Sequence, residues 1–218
     1  QNKWSYIKYD IFGREIINGV CTISGANREE LQTMLNNENS SILAAGELKN
    51  HETPLYSAWP SATGYTRNSY PKPGYQGTIY SVSNQKVLKI NYYDTQNWLS
   101  SGLLISLPMQ YQTEPGYQPE EGVAGSVKSK LVAQKIKVLD GTSNEYITKV
   151  FFYDQKGRMI QSHTNNHMEG TTQTDNLYDF VGNLIQTRTQ NTGDVNYDIE
   201  KRFEYDHYGR LTEHHHKV

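Results

Sequence analysis

Histidine side chains are the groups in this sequence most able to bind a metal ion. A metal site needs several histidines, or cysteine and carboxylate partners, at a recognisable spacing. His163 and His167 are four residues apart, but the sequence between them indicates a strand running into a turn, where they do not share a face. His214 and His216 would share a face in a strand, which permits adventitious Ni²⁺ or Zn²⁺ binding. Because no carboxylate or cysteine completes either set at such a spacing, we predict no physiological metal site.

Acid–base and nucleophilic chemistry is equally poorly supported by the pattern. Glu114, Glu120 and Glu121 fall in a segment rich in proline and glycine, whereas a glycoside hydrolase needs two carboxylates held roughly 5–10 Å apart on a rigid frame. Cys21 is the only cysteine, has no base beside it, and is expected to be a small buried apolar residue. The phosphate-binding glycine motifs and the G-x-S-x-G turn of serine hydrolases are absent from the sequence. We predict a protein that is not an enzyme and has no cofactor. A serine–histidine–aspartate triad assembled from distant residues stays an open alternative.

Aromatic side chains are the remaining candidates for ligand contact. The segment 50–77 is interrupted by four prolines, and it contains four aromatic residues that could stack on sugar rings: Trp59, Tyr65, Tyr70 and Tyr75. The alternative is that these rings cover a sheet, since tyrosine is common in strands for packing alone.

Composition favours a polar, exposed β protein. Tyrosine accounts for 17 residues against 5 Phe and 3 Trp, and hydrophobic residues make up 35% of the chain. Tyrosine suits a half-buried pleated surface, where the ring packs and the hydroxyl stays wet. The formal net charge of −2 gives no electrostatic basis for nucleic acid as a partner. No apolar run approaches the roughly 20 residues of a membrane helix, so we predict no membrane insertion.

A six-residue pattern, Tyr-Asp-x-x-Gly-Arg or Asn, occurs four times. Its copies, named motifs 1 to 4 below, have Tyr, Asp, Gly and Arg or Asn at Tyr9, Asp10, Gly13, Arg14; Tyr153, Asp154, Gly157, Arg158; Tyr178, Asp179, Gly182, Asn183; and Tyr205, Asp206, Gly209, Arg210. The last three copies are 25 and 27 residues apart, which suits consecutive hairpins. Tyr93 and Asp94 are a degenerate fifth copy, without the glycine.

Each position of the motif has a role in a β-turn. The aspartate accepts hydrogen bonds from backbone groups that follow it, as in an Asx-turn. The two variable positions adopt right-handed helical angles, and the glycine supplies a positive φ. This combination is a type I turn followed by a glycine bulge in a β-hairpin. We therefore predict turns at residues 10–13, 154–157, 179–182 and 206–209, with positive φ at Gly157, Gly182 and Gly209.

The predicted fold is mainly β, with antiparallel hairpin repeats that form an extended or curled sheet. One short helix is expected near residues 27–38, because Asn27 and Glu30 resemble a capping box ahead of Leu31, Met34 and Leu35. The predicted organisation is an N-terminal β lobe at 1–107, a loop or linker at 108–126 and a hairpin array at 127–218.

The repeated motif resembles the YD repeat of bacterial Rhs proteins, insecticidal toxin-complex subunits and animal teneurins. The segments 4–14, 90–94, 152–160, 165–167 and 176–180 are similar to the repeat region of Rhs-type proteins from Bacteroidetes. The resemblance implies a strip of hairpins, which in that family can spiral into a shell around a C-terminal toxin or effector. Some members are implicated in carbohydrate binding or cell contact.

This resemblance implies a function, a location and partners. The chain is expected to be a non-catalytic scaffold segment of a larger secreted or cell-surface protein, with the remainder of the same polypeptide as its partner. The alternative is a module that binds a glycan or a cell-surface partner through the exposed aromatic residues of 50–77.

Overall fold

The computed structural model describes residues 3–10, 12–24, 29, 33, 81–94, 107–108, 110–139, 145–165, 170–193 and 195–218. The helix predicted near residues 27–38 falls outside this set except for Glu29 and Thr33, and it stays a prediction. Within the described residues, no helix is long and apolar enough to cross a membrane.

Ten antiparallel strands contain almost all of the regular structure of the described residues, which confirms the mainly β prediction. They form one sheet that is not closed, and its strand order follows the chain order from β1 to β10. The strands are β1 Lys3–Tyr9, β2 Glu15–Ser24, β3 Ser81–Asp94, β4 Val127–Lys137, β5 Tyr146–Tyr153, β6 Met159–Asn165, β7 Thr171–Tyr178, β8 Leu184–Thr192, β9 Tyr197–Tyr205 and β10 Leu211–Lys217. Each of the four motifs connects two strands of a hairpin, namely β1–β2, β5–β6, β7–β8 and β9–β10.

All four hairpins share a β-bulge next to the motif. The motif tyrosine pairs with the residue six positions later, for example Tyr153 with Met159. The residue before the tyrosine pairs with the residue nine positions later, as Phe152 does with Gln161. Ile160 is therefore left without a partner in β5. The equivalent bulge residues of motifs 1, 3 and 4 are Ile16, Ile185 and Thr212. The bulge inserts one unpaired residue and shifts the register of the returning strand by one.

The chain divides into two compact units, Gln1–Asn91 and Tyr92–Val218. Among the described residues of the first unit, the buried apolar ones are Ile16, Ile17, Cys21 and Ile90. The expected burial of Cys21 is confirmed, since it is 4% exposed, and burial raises the pKa of its thiol. In the same unit, the Asn91 side chain donates a 2.9 Å hydrogen bond to the Glu15 carbonyl.

In the second unit the apolar core lies mainly on β4, β5 and the start of β6. Its buried members are Tyr92, Leu107, Tyr117, Val127, Val132, Ala133, Val150, Phe152 and Ile160. Towards β9 and β10 the sheet becomes progressively more exposed, and every residue of β10 is exposed. The predicted division into 1–107, 108–126 and 127–218 stays a prediction. The described residues 110–126 belong to the second unit, where Gln112 is hydrogen-bonded to β6.

Candidate functional site

The motif aspartates organise the turns through both carboxylate oxygens. In motif 2, the backbone N–H of Arg158 donates to Asp154 Oδ1 at 2.8 Å, and its Nε donates to Asp154 Oδ2 at 2.6 Å. The same two contacts occur between Asp10 and Arg14 and between Asp206 and Arg210. Each carboxylate therefore fixes the sixth motif residue by its backbone and by its side chain, a charge-assisted arrangement.

Motif 3 keeps this geometry with a shorter side chain. Asn183 donates to Asp179 from its backbone N–H and from Nδ2, both at 2.8 Å. Desolvation raises the pKa of the Asp179 carboxyl, but the hydrogen bonds from Asn183 and from the backbone of Gly182 and Val181 together outweigh it, so that the pKa lies below its ordinary value. Motif 4 behaves alike, because hydrogen bonds from Arg210 lower the pKa of Asp206.

The motif glycines adopt the backbone conformation that the turn requires. Their φ angles are +75° at Gly13, +77° at Gly157, +111° at Gly182 and +74° at Gly209. The predicted positive φ is present at all three positions where we expect it. In each turn the glycine N–H donates to the carbonyl of the motif aspartate three residues earlier, at 2.9 to 3.2 Å.

The tyrosines of motifs 2, 3 and 4 bond their hairpins to the strand before. Tyr153 Oη donates to the Leu131 carbonyl at 2.7 Å, Tyr178 Oη to the Met159 carbonyl at 3.1 Å, and Tyr205 Oη to the Leu184 carbonyl at 2.9 Å. Met159 and Leu184 are the first strand residues after motifs 2 and 3. The tyrosine hydroxyl thus has a specific partner in the neighbouring hairpin, which the sequence pattern did not reveal.

A row of polar side chains crosses one face of β6 to β10. The cross-strand partners along it are Gln161, Asp175, Arg188, Glu200 and Lys217. Gln161 Nε2 donates to Asp175 Oδ1 at 2.6 Å. From Asp175 onward the charges alternate in sign, which is the favourable arrangement for directly opposed residues.

The segment 110–117 lies over the buried end of this row. The Gln161 amide, which is fully buried, accepts from the Gln112 N–H at 2.8 Å and donates to the Gln112 carbonyl at 2.7 Å. His163 Nε2 lies 2.9 Å from Gln161 Oε1. Burial lowers the pKa of His163 to about 4. Burial disfavours the charged form of Asp175 as well, which raises the pKa of its carboxyl, although hydrogen bonds from Gln161 and Gln173 oppose this effect.

An open groove follows the exposed part of the row. It has a volume of about 600 Å³, and its wall on one side is the loop around Tyr117, whose hydroxyl accepts a 2.8 Å hydrogen bond from Gln186. Arg188 pairs with Glu114 and, at 2.6 Å, with Asp198. The groove is lined by Pro115, Gly116, Tyr117, Gln186, Arg188, Asp198, Glu200, Arg202, Lys217 and Val218.

Two of the three glutamates considered as catalytic groups take part in ion pairs. Glu114 pairs with Arg188, and Glu121 with Lys156 at 2.8 Å. Of the two histidines that lie four positions apart in the sequence, His163 is buried in the polar network, whereas His167 lies outside the described residues. The four candidate stacking residues, Trp59, Tyr65, Tyr70 and Tyr75, also lie outside them.

Motif 4 brings together a group that spacing alone does not suggest. Glu204 and Glu213 are direct cross-strand partners, and the imidazole of His215 lies beside both carboxylates. The bulge at Thr212 creates this pairing, because it shifts the register between Leu211 and Glu213 by one residue. Only knowledge of the bulge, and hence of the register, could have placed these three residues together from the sequence.

Comparisons with known proteins add no relative to this description. No family model matches the chain, and searches of the curated proteins and of the solved structures found no similar protein.

Proposed function

We propose that this chain is a non-catalytic scaffold segment, built from β-hairpin repeats of the YD type, within a larger Rhs-like protein. One observation carries the proposal: the same turn geometry recurs at Asp10, Asp154, Asp179 and Asp206. A motif that forms both the turn and a bond to its neighbour can be repeated along a chain, because each unit stabilises the next.

The pairing of charged groups also favours a structural role. In the described part of the groove, Arg188 bridges Glu114 and Asp198, and Arg202 donates to Glu200 at 2.7 Å. A catalytic carboxylate is instead expected to face a cleft with a shifted pKa matched to proton transfer.

The partner we propose is the remainder of the same polypeptide, and the location is secreted or cell-surface. Both proposals rest on the resemblance of the motif to the YD repeat. The proposal that the hairpins form part of a shell around a C-terminal effector rests on the same resemblance.

Limited proteolysis of the full-length protein tests the scaffold function. We expect the wild-type protein to protect its C-terminal region from protease, and Asp154→Ala to abolish the protection, because Asp154 is fully buried and organises motif 2. Glu145→Ala is the control, since Glu145 is exposed, lies outside the motifs and belongs to none of the ion pairs described above. Equal digestion of the C-terminal region in the wild type and in Asp154→Ala would contradict an enclosing scaffold.

Glycan binding is the second candidate, and the groove favours it. Amide, guanidinium and carboxylate groups of Gln186, Arg202 and Glu200 line it beside the Tyr117 ring, and such planar polar groups suit sugar hydroxyls. A glycan array with the wild-type chain, Arg202→Ala and Trp59→Ala tests this candidate. Binding lost in Arg202→Ala would support the groove, whereas loss in Trp59→Ala would support the aromatic segment 50–77. An array without binding would exclude both.

A further inference from the structure

Glu204, Glu213 and His215 lie on one face of the last hairpin, outside the turn motifs. His215 Nε2 is 3.0 Å from Glu213 Oε2 and 3.9 Å from Glu204 Oε1. One donor atom from each of the three residues lies within 4.8 Å of the other two. All three side chains are exposed to a similar extent, between 58% and 64%, so an ion could reach them directly from solvent.

The two glutamates form a like-charge pair that a bound cation would stabilise. Directly opposed like charges destabilise an antiparallel pair of strands. Among the described residues, no lysine or arginine forms a salt bridge with Glu204 or Glu213, and the basic group beside them is the His215 imidazole. The nearest guanidinium in register is that of Arg202, opposite His215, but it is bound to Glu200.

We propose that Glu204, Glu213 and His215 bind a divalent transition-metal ion of the Zn²⁺ type. Zinc binds imidazole nitrogen and carboxylate oxygen at about 2.0–2.2 Å, so its tetrahedral ligand atoms are about 3.4 Å apart. The observed separations of 3.0 Å and 3.9 Å bracket that value. Two carboxylates and a neutral imidazole balance the charge of the ion, and the fourth coordination position is open to water or to a ligand from another molecule.

The frame that holds the three donors is fixed on both sides. Motif 4 closes the hairpin through Asp206 and Arg210, and the Tyr205 hydroxyl anchors β9 to the Leu184 carbonyl. Thr212 Oγ1, at the bulge, donates to the Glu204 carbonyl at 3.0 Å. The donors therefore need only rotamer adjustments to surround an ion, because the backbone positions are already set.

The neighbouring histidines provide a matched control. His214 and His216 flank His215 in β10 and lie on the opposite face of the strand. His214 stacks on the Phe203 ring there, with ring centres 4.9 Å apart. A specific site predicts that His215 matters and that His216 does not, whereas adventitious binding to the three-histidine run predicts that all three contribute.

Isothermal titration of the chain with ZnCl₂ at pH 7.5, without an added histidine tag, tests the proposal. We expect one equivalent to bind, and Glu213→Gln, Glu204→Gln and His215→Gln each to weaken binding at least tenfold. His216→Gln should leave the affinity unchanged within twofold. Circular dichroism of each variant checks that the exposed substitutions leave the sheet intact. The proposal is overturned if the wild type does not bind zinc, if His216→Gln weakens binding as much as His215→Gln, or if both glutamate variants bind like the wild type.

Discussion

Arg158 of motif 2 donates a 2.8 Å hydrogen bond from Nη1 to the backbone carbonyl of Asp179 in motif 3. Its guanidinium carbon also lies 5.0 Å from the centre of the Tyr178 ring, within the range of a cation–π contact. The same arginine is bound to Asp154 within its own motif. One side chain therefore connects the turn it belongs to with the turn of the next hairpin.

Motif 3 lacks this connection because its sixth residue is Asn183. The asparagine amide donates a hydrogen bond to Asp179 and, being short, does not extend to the next turn. Its Oδ1 lies 4.0 Å from the position that a Cβ on Gly209 of motif 4 would occupy. We predict that Asn183→Arg raises the free energy of unfolding by about 1 kcal/mol, through a hydrogen bond to the Asp206 carbonyl and stacking on Tyr205. Urea denaturation measures the change.

Two further variants separate the connection from a general effect of charge. Asn183→Lys adds a cation without the planar fork of arginine and should give less than half of the gain. Arg158→Asn, the reverse change in motif 2, should lower stability by more than Asn183→Arg raises it, because Asp154 is buried. An Asn183→Arg variant no more stable than the wild type would show that the connection between motifs contributes nothing.

Gly182 has a φ of +111°, which a β-branched residue adopts only with strain. We predict that Gly182→Val lowers the free energy of unfolding by about 1–2 kcal/mol, visible as a lower melting temperature. Gly125→Val is the control, since an added Cβ meets nothing within 4 Å at either position and only Gly182 has a positive φ. Equal melting temperatures for the two variants would refute the turn assignment.

The turns could be predicted because their chemistry is local. Asp154 and Gly157 lie within one short segment, so an Asx-turn and a positive φ follow from residue types alone. The role of the sixth residue as the side-chain partner of the aspartate is local too, and the spacing of aspartate and arginine was the available signal. The tyrosine hydroxyl bonds, such as that from Tyr178 to Met159, depend on which strand lies alongside, and local sequence does not contain that information.

The polar row and the grouping of Glu204, Glu213 and His215 could not be predicted because they depend on register. Asp175 and Arg188 face each other only after the bulge at Ile185 has moved β8 by one residue, and a one-residue slip would turn every side chain to the other face. Similarly, Glu204 opposes Glu213 only because Thr212 is a bulge residue. The helix near 27–38 and the aromatic segment 50–77 stay predictions.

The Tyr153 hydroxyl connects β5 to β4, and burial raises its pKa. We predict that Tyr153→Phe costs about 1 kcal/mol of stability, because the Leu131 carbonyl loses a 2.7 Å hydrogen bond while the ring is kept. Tyr208→Phe is the control, since Tyr208 is 73% exposed at the tip of motif 4. Chemical denaturation should give unchanged stability for the control; the same loss in both variants would argue against the hydrogen bond as the cause.

Stability should fall as the pH drops from about 6.5 towards 4, because His163 is 4% exposed and its pKa is lowered to about 4 by burial. In this window the unfolded chain binds a proton that the folded chain does not, so the stability is complete above about pH 6.5 and decreases below it, by at most about 2 kcal/mol between pH 7.5 and 5. Asp175 acts in the opposite sense from its ordinary pKa of 3.8 upward, because its raised pKa favours the protonated folded form.

His163→Gln removes the imidazole and keeps an amide that can face Gln161, so its unfolding free energy should change less between pH 7.5 and 5 than that of the wild type. His207→Gln, at an exposed turn position, should keep the wild-type pH dependence. Urea titrations at the two pH values give the comparison, and identical pH dependence in the wild type and His163→Gln would show that the buried imidazole is not the titrating group.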